Sequence, residues 1–295
     1  MRTSRGSPSG QAISQHRKAQ RVDVTLILEG TYPYVSGGVS AWVDQLLAGF
    51  PRLSFAIVFL GGRSADYGAA KYALPDNVTH FQVHFLHDAL PPAMRMASGD
   101  DRPGDTTMSH IRAMHDALRD PQHRATAGAG LIALSTQIDT SSSPSADRLT
   151  FDAFLHGEPA WAYLREQFEQ QSTDPSFVDY FWTVRSMHAP IFRLAAIRDG
   201  LPETSVFHCA STGFAGLLGA MAKARYARPL VISEHGLYTN ERRIELLAAR
   251  WIADNRERFE RDPIRHGYFR ELWIRFFESI GRAAYQAADA VIALF

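Results

Sequence analysis

The residues whose types and spacing bear on chemistry begin with Gly37-Gly38. The pair lies between an apolar, β-branched run, Val22 to Leu28, and a stretch in which Val39, Val43, Leu46 and Leu47 recur at helical spacing. The run reads as a buried strand and the recurrence as a helix, so the glycines fall where a strand's carboxyl end hands over to a helix amino end. Such a junction is a natural anion site. Unpaired backbone N–H groups and the positive end of the helix dipole point out of it, and a residue without a Cβ lets a phosphate come close. An ordinary tight turn would have the same composition. The pair carries neither G-x-G-x-x-G nor a G-K-[ST] ending, which argues against a nicotinamide cofactor and against ATP cleavage.

Two further segments carry polar side chains at strand ends. Val206 to His208 reads as a short strand running into Cys209-Ala210-Ser211-Thr212. Ser211 or Thr212 is expected to cap the next helix, in which Gly213, Gly216 and Gly219 make a small-residue face that admits a sheet or another backbone. Leu230 to Ser233 reads as a strand entering Glu234-His235-Gly236, and Tyr238 to Leu247 as a helix bearing Glu241, Arg242 and Arg243. His208 fits a core histidine with a satisfied ring nitrogen as well as a ligand-binding one. The Glu241-Arg242-Arg243 cluster fits a solvated helix face, where ion pairs are worth only about 0–1 kcal/mol. His80 and His84 share one face of an extended strand, but no carboxylate or further histidine at ligand spacing joins them or His87, so no metal site is expected.

The elements that must position these residues follow from composition and periodicity. With 295 residues, 45% of them hydrophobic, the chain can bury a substantial core. Lys+Arg 31 balance Asp+Glu 31, so no net field recruits nucleic acid or an anionic membrane, and an anionic ligand has to be held by a local site. Cys209 is the only cysteine, which excludes an internal disulfide framework and makes a reducing, cytoplasmic setting the default expectation. No apolar run approaches the roughly 18 residues of a membrane helix. Residues 1–20 are polar and basic and read as a disordered tail.

Leu53 to Leu60 reads as a second buried strand, and Thr79 to Leu86 alternates as a strand near a sheet edge does. The strand-helix-strand order predicts right-handed crossovers and an open parallel α/β sheet. Between about residues 88 and 150, MASGDDRPGD and DTSSSPSAD are loop-like, with short helical pieces at Ile111 to Leu118 and Leu131 to Leu134, and the region reads as an elaboration on the scaffold. Tyr163 to Phe168 and Phe177 to Ile197 read as helices, with Trp161, Phe181, Trp182 and Phe192 expected in the core. His266 to Ala287 keeps an i, i+3, i+4, i+7 rhythm through Phe269, Leu272, Trp273, Phe276, Phe277 and Ile280. Asp289 to Phe295 begins one more strand, and a chain ending inside a strand is expected to be truncated.

Three segments, EGTYPYVSGGVSAWVDQL, VFHCASTGFAGLLGAMAKARYARPLVISEHGLYTNERRIEL and the long helix closing in ADAVIALF, resemble the amino-terminal half of Pel-polysaccharide glycosyltransferases. These are the PelF type of the retaining family-4 enzymes with the GT-B fold. The resemblance spans about Val22 to Phe295, weakest over Asp88 to Thr150. It implies a Rossmann-like, acceptor-side domain over residues 21–295, acting with a donor-binding domain that this sequence lacks. It further implies that Gly37 and Gly38 face the donor diphosphate, and that His235 lies beside the donor sugar. Glu234 then either orients His235 or binds acceptor. His208, Ser211, Thr212, Glu241 and Arg242 are candidates for contacts to sugar or acceptor. Because open parallel sheets bind ligands at the strands' carboxyl edge, Gly37, His208 and His235 are expected to converge there. The implied reaction transfers sugar from a nucleoside diphosphate donor, a UDP-sugar foremost, to a growing exopolysaccharide, with no cofactor and no metal. A non-catalytic module docking onto a membrane-bound polysaccharide synthase is the alternative.

Overall fold

The computed structural model describes residues 17–88, 108–109, 111–113, 115–116, 124–138, 140, 149–151, 154, 157–257 and 266–294. In chain order the elements are β1 (Arg21–Glu29), α1 (Gly38–Gly49), β2 (Phe55–Gly61), β3 (Val78–Phe85), α2 (Arg124–Gln137), α3 (Glu158–Gln171), α4 (Phe177–Asp199), β4 (Glu203–Cys209), α5 (Phe214–Tyr226), β5 (Leu230–Glu234), α6 (Tyr238–Ala248), α7 (Tyr268–Ala287) and β6 (Ala290–Ala293). The stretch read as a single domain with an elaboration divides into two compact units. One is drawn from Met1–Asp88, Gly200–Gly236 and Ala287–Phe295, the other from Ala89–Asp199 and Leu237–Gln286. Most of the elaboration, including both loop-like stretches apart from Thr140, lies outside the described residues.

In the first unit six strands form one open sheet in the order β3-β2-β1-β4-β5-β6, every neighbouring pair parallel. This is a Rossmann-like α/β fold. β2 is buried at all of its positions, as a strand covered on both faces has to be, and its unbroken apolar run is the sequence expression of that. Leu26, Leu28, Val43, Leu47, Ile57, Phe59 and Phe81 belong to one buried cluster together with Tyr32 and Tyr34. β3 is the edge strand its alternation implied. Residues of the tail read as disordered lie along it: Phe81 N–H donates to Arg17 O (3.0 Å) and Ala19 N–H to Thr79 O (3.1 Å). The Arg17 guanidinium donates to the carbonyls of Leu74, Pro75 and Val78, and His80 Nδ1 lies 2.8 Å from Ala19 O. Residues 1–16 lie outside the described residues.

α5 packs on the sheet through its small-residue face. A Cβ on Gly219 would stand 2.6 Å from Cys209 Sγ and 2.8 Å from Leu230 Cδ1, closer than any real side-chain carbon comes. Cys209 is fully buried there, its thiol donates to Ala215 O (3.3 Å), and burial pushes its pKa up, which keeps it protonated and inert.

In the second unit α7 buries Phe269, Leu272, Trp273, Phe276, Phe277 and Ile280, the residues of its apolar rhythm. Two aromatics expected in the core are not there. Trp161 is 43% and Trp182 51% exposed, whereas Phe192 is buried. The reason is phase: α3 buries Ala160, Tyr163, Leu164 and Gln167, and α4 buries Tyr180, Val184, Met187, His188 and Ile191. Both tryptophans fall between those stripes. Among the described residues no helix is long and apolar enough to cross a membrane.

Gly219→Ala forces the α5–sheet contact apart, and a loss of about 1–3 kcal/mol of stability is expected from such overpacking. Urea unfolding of the variant beside the wild type measures it.

Candidate functional site

The strand order reverses between β1 and β4, and in open parallel sheets the crevice outside the carboxyl ends at such a reversal is where ligands bind. Three segments emerge at that edge: the loop from Gly30 to Gly37 after β1, residues 210–213 after β4, and His235-Gly236 after β5. The first is rooted by its aromatics. Tyr32 and Tyr34 are buried, Tyr32 Oη donates to Ala73 O (3.1 Å), and Pro33 O accepts from Lys71 N–H (2.8 Å). Ser40 Oγ donates to Val35 O (2.6 Å), tying the loop to the first turn of α1.

Gly37 occupies the N-cap position of α1 and Gly38 its first helical position. No side chain caps the helix, and its first turn holds no acid. The N–H groups of Gly38, Val39 and Ser40 therefore have no partner within the helix. Both glycines are exposed, and a Cβ on either would meet nothing within 4 Å. Gly37 has an extended backbone (φ 168°) that any residue adopts. Neither packing nor backbone conformation requires glycine here; what the pair leaves is open space at the amino end of the helix.

The second helix at this edge is arranged differently. Gly213 takes the N-cap position of α5, and the cap expected from Ser211 or Thr212 is not made. Those residues precede the cap position, and both hydroxyls are buried without a hydrogen-bond partner. Glu29, at the end of β1, supplies the bond instead: its Oε2 accepts from Ala215 N–H at 3.0 Å. One helix amino end at the edge is filled by a carboxylate of the chain; the other is open.

His208 and Ser233 project from the face of the sheet that α1 covers, and His208 Nε2 lies 2.8 Å from Ser233 Oγ. Trp42 of α1 meets both imidazoles edge-on, with ring centroids 5.6 Å from His208 and 4.7 Å from His235. Trp42 is four residues beyond Gly38, a rise of about 6 Å, so His235 lies against the second turn of the helix whose amino end is open. Burial, and secondarily the neighbouring His235, pushes the His208 pKa down to about 4; burial lowers that of His235 as well. Both rings are neutral at pH 7. His235 Nε2 is buried without a hydrogen-bond partner. Glu234 is 2% exposed, and neither of its carboxylate oxygens has a partner. It makes no hydrogen bond to His235 and so does not orient that ring.

Gly37, Gly38, His208 and His235 are thus gathered around α1, and Ser211, Thr212 and Glu234 lie at the same edge. Glu241 and Arg242 belong to the second unit, on α6. There Glu241 is exposed, and Arg242 donates to Tyr238 Oη (3.1 Å) and Glu245 (2.8 Å) and covers the Phe277 ring at 4.8 Å. Trp42 and Glu29 had not been singled out from the sequence. Trp42 carried a readable signal, a large aromatic one turn beyond a glycine pair; Glu29 carried none, since its partner is 186 residues away. Among the described residues no group of three or more His, Cys, Asp or Glu is placed to hold a metal.

A family model described as a domain of unknown function, DUF3492, matches residues 22–295. The chain belongs to that family. Comparison with curated proteins and with solved structures returned no match. The match takes in every strand of the DUF3492 sheet except Arg21, and all residues gathered at its carboxyl edge.

Titration of the DUF3492 chain carries the mark of its buried histidines. His208 and, in the second unit, His188 have folded pKa values of about 4 against an ordinary 6.5. Between those values the unfolded chain binds protons that the folded chain does not, so stability is full above about pH 6.5 and falls as pH drops toward 4. Denaturant midpoints measured across this window follow that fall, and His208→Gln makes it shallower while leaving the contribution of His188.

Proposed function

We propose that this chain is the acceptor-side half of a retaining, nucleotide-sugar-dependent glycosyltransferase of the Pel-polysaccharide type. Its donor is a nucleoside diphosphate sugar, a UDP-sugar foremost, and its acceptor a growing exopolysaccharide. The observation that carries the reading is the open amino end of α1 with a neutral imidazole beside it, at the reversal of the strand order. Negative charge builds on the diphosphate as the glycosidic bond breaks. The N–H groups of Gly38, Val39 and Ser40, aligned with the helix dipole, would stabilise that charge without having to reorganise. With such donors in place the reading calls for no metal.

His235, neutral and with a free Nε2, suits a hydrogen bond to the sugar rather than attack on it. By the resemblance, base, ribose and the remaining phosphate contacts belong to a second Rossmann-like domain. Closure of the two would exclude the water that otherwise hydrolyses the donor. The docking alternative is favoured by one observation, the exposure of Trp161 and Trp182 on α3 and α4, since exposed aromatics of this size are enriched at protein interfaces.

Gly37→Asp separates fold from function. Aspartate is a preferred N-cap and finds open space at this position, so stability stays level or rises by a few tenths of a kcal/mol. Its carboxylate would occupy the donors meant for phosphate, and calorimetry with UDP- and ADP-sugars on a chain extended by the second domain is expected to show donor affinity down at least about tenfold. Wild-type affinity in that variant would remove α1 from the site, and no donor binding by the unmutated extended chain would leave the docking reading standing. His235→Ala is expected to lower transfer and donor hydrolysis together by roughly a hundredfold; both rates at the wild-type level would sink the role given to this ring.

A further inference from the structure

Among the described residues of the first unit, a group of buried polar atoms without hydrogen-bond partners lies at the carboxyl edge of β4 and β5. Glu234 is 2% exposed with both carboxylate oxygens unpartnered, Thr212 is fully buried with Oγ1 unpartnered, and Ser211 Oγ is likewise without a partner. β4 and β5 are paired in parallel, Cys209 opposite Ile232, so the residues following one strand emerge beside those following the other. Alternation along β5 sets Glu234 on the face opposite Ser233, with Ile232 and Leu230 and with α5, away from the imidazoles.

A buried carboxylate without a partner is among the costliest things a fold can contain, and a buried hydroxyl without one is a smaller cost of the same kind. Groups of this sort are completed by ordered water, an ion or a ligand, and a cluster of them at a sheet's ligand-binding edge favours a ligand. What completes them has to donate twice to an acceptor-only carboxylate and also exchange hydrogen bonds with hydroxyls. Neighbouring hydroxyls on a pyranose ring do both, because each is donor and acceptor at once. Phosphate does not fit, being an anion against an anion.

We propose that Glu234, with Thr212 and Ser211, is a sugar-recognition subsite in which the carboxylate accepts hydrogen bonds from two adjacent hydroxyls of a hexopyranose. It rests on the glycosyltransferase reading for its place in a reaction, and it adds a second contact surface on the α5 side of the edge, across from His235 on the α1 side. Ser211, His235 and Gly236 are partly exposed, and they mark the side from which a sugar enters. Glu234 is a binding residue here, neither nucleophile nor proton donor.

Thermal unfolding of the 295-residue chain tests the subsite, with wild type and Glu234→Gln each measured alone and with glucose, galactose, glucosamine or pyrophosphate at high millimolar concentration. Unliganded Glu234→Gln is expected to melt no lower than wild type, since the amide fills the same space and no hydrogen bond of the carboxyl group is lost. A fall of several degrees would mean that the fold itself, through ordered water, holds the carboxylate, and would overturn the proposal. Glucose or galactose is expected to raise the wild-type midpoint by about 2–4 °C and to leave Glu234→Gln unmoved, while pyrophosphate raises both equally through α1. Equal hexose shifts in the two proteins, no hexose shift in the wild type, or a shift with glucosamine alone would each overturn the hydroxyl subsite. A hexose response confined to the wild type, with no pyrophosphate response in either protein, would keep the subsite and remove the diphosphate half of the glycosyltransferase reading.

Discussion

The single direction of the strands is the constraint from which the rest of the first unit follows. With every neighbouring pair parallel, each connection has to return across the sheet, and right-handed crossovers are the rule for such units. Because the order reverses at β1 and β4, α1 returns over one face and α5 over the other: Trp42 of α1 touches His208, while Gly219 of α5 lies on Cys209 and Leu230. The carboxyl ends of β1, β4 and β5 nonetheless share one edge. Two helix amino ends and three strand termini therefore lie at that edge.

Electrostatics at this edge are set by what is kept neutral. The chain has no net charge to attract an anion from a distance, so attraction has to come from oriented backbone dipoles. Burial discourages protonation of both His208 and His235, and His235 adds to the effect on His208. On the proposed glycosyltransferase reading, uncharged imidazoles would hydrogen-bond a neutral sugar without adding to the hold on a diphosphate. The open amino end of α1 remains as the positive element beside them.

Much of the fold was legible because parallel strands buried on both faces appear as unbroken apolar runs, and each of Leu53 to Leu60, Leu230 to Ser233 and Val22 to Leu28 lies within two residues of a strand found. The glycine pair and the strand-end histidines were legible for the same reason: they punctuate those runs. What local pattern could not show was any bond made across the sheet. Ser211 and Thr212 looked like caps because serine and threonine usually are; Glu29 took that place from a strand far away in sequence. Residue type points Trp161 and Trp182 to the core, but helical phase decides, and the buried stripes of α3 and α4 leave both outside.

The long-range cap explains the state of the hydroxyls beside it. Had Ser211 or Thr212 closed the amino end of α5, its oxygen would be committed to a backbone N–H and lost to any ligand. Glu29 satisfies that N–H from the next strand, and both hydroxyls stay free. The same economy holds at α1, where leaving out a capping side chain keeps three donors uncommitted. Each helix has glycine at its N-cap, where a capping side chain would add about a few tenths of a kcal/mol. That neither uses one, at the single edge where Glu234 and His235 also lack partners, is the pattern expected of a surface built to be completed from outside rather than by its own side chains.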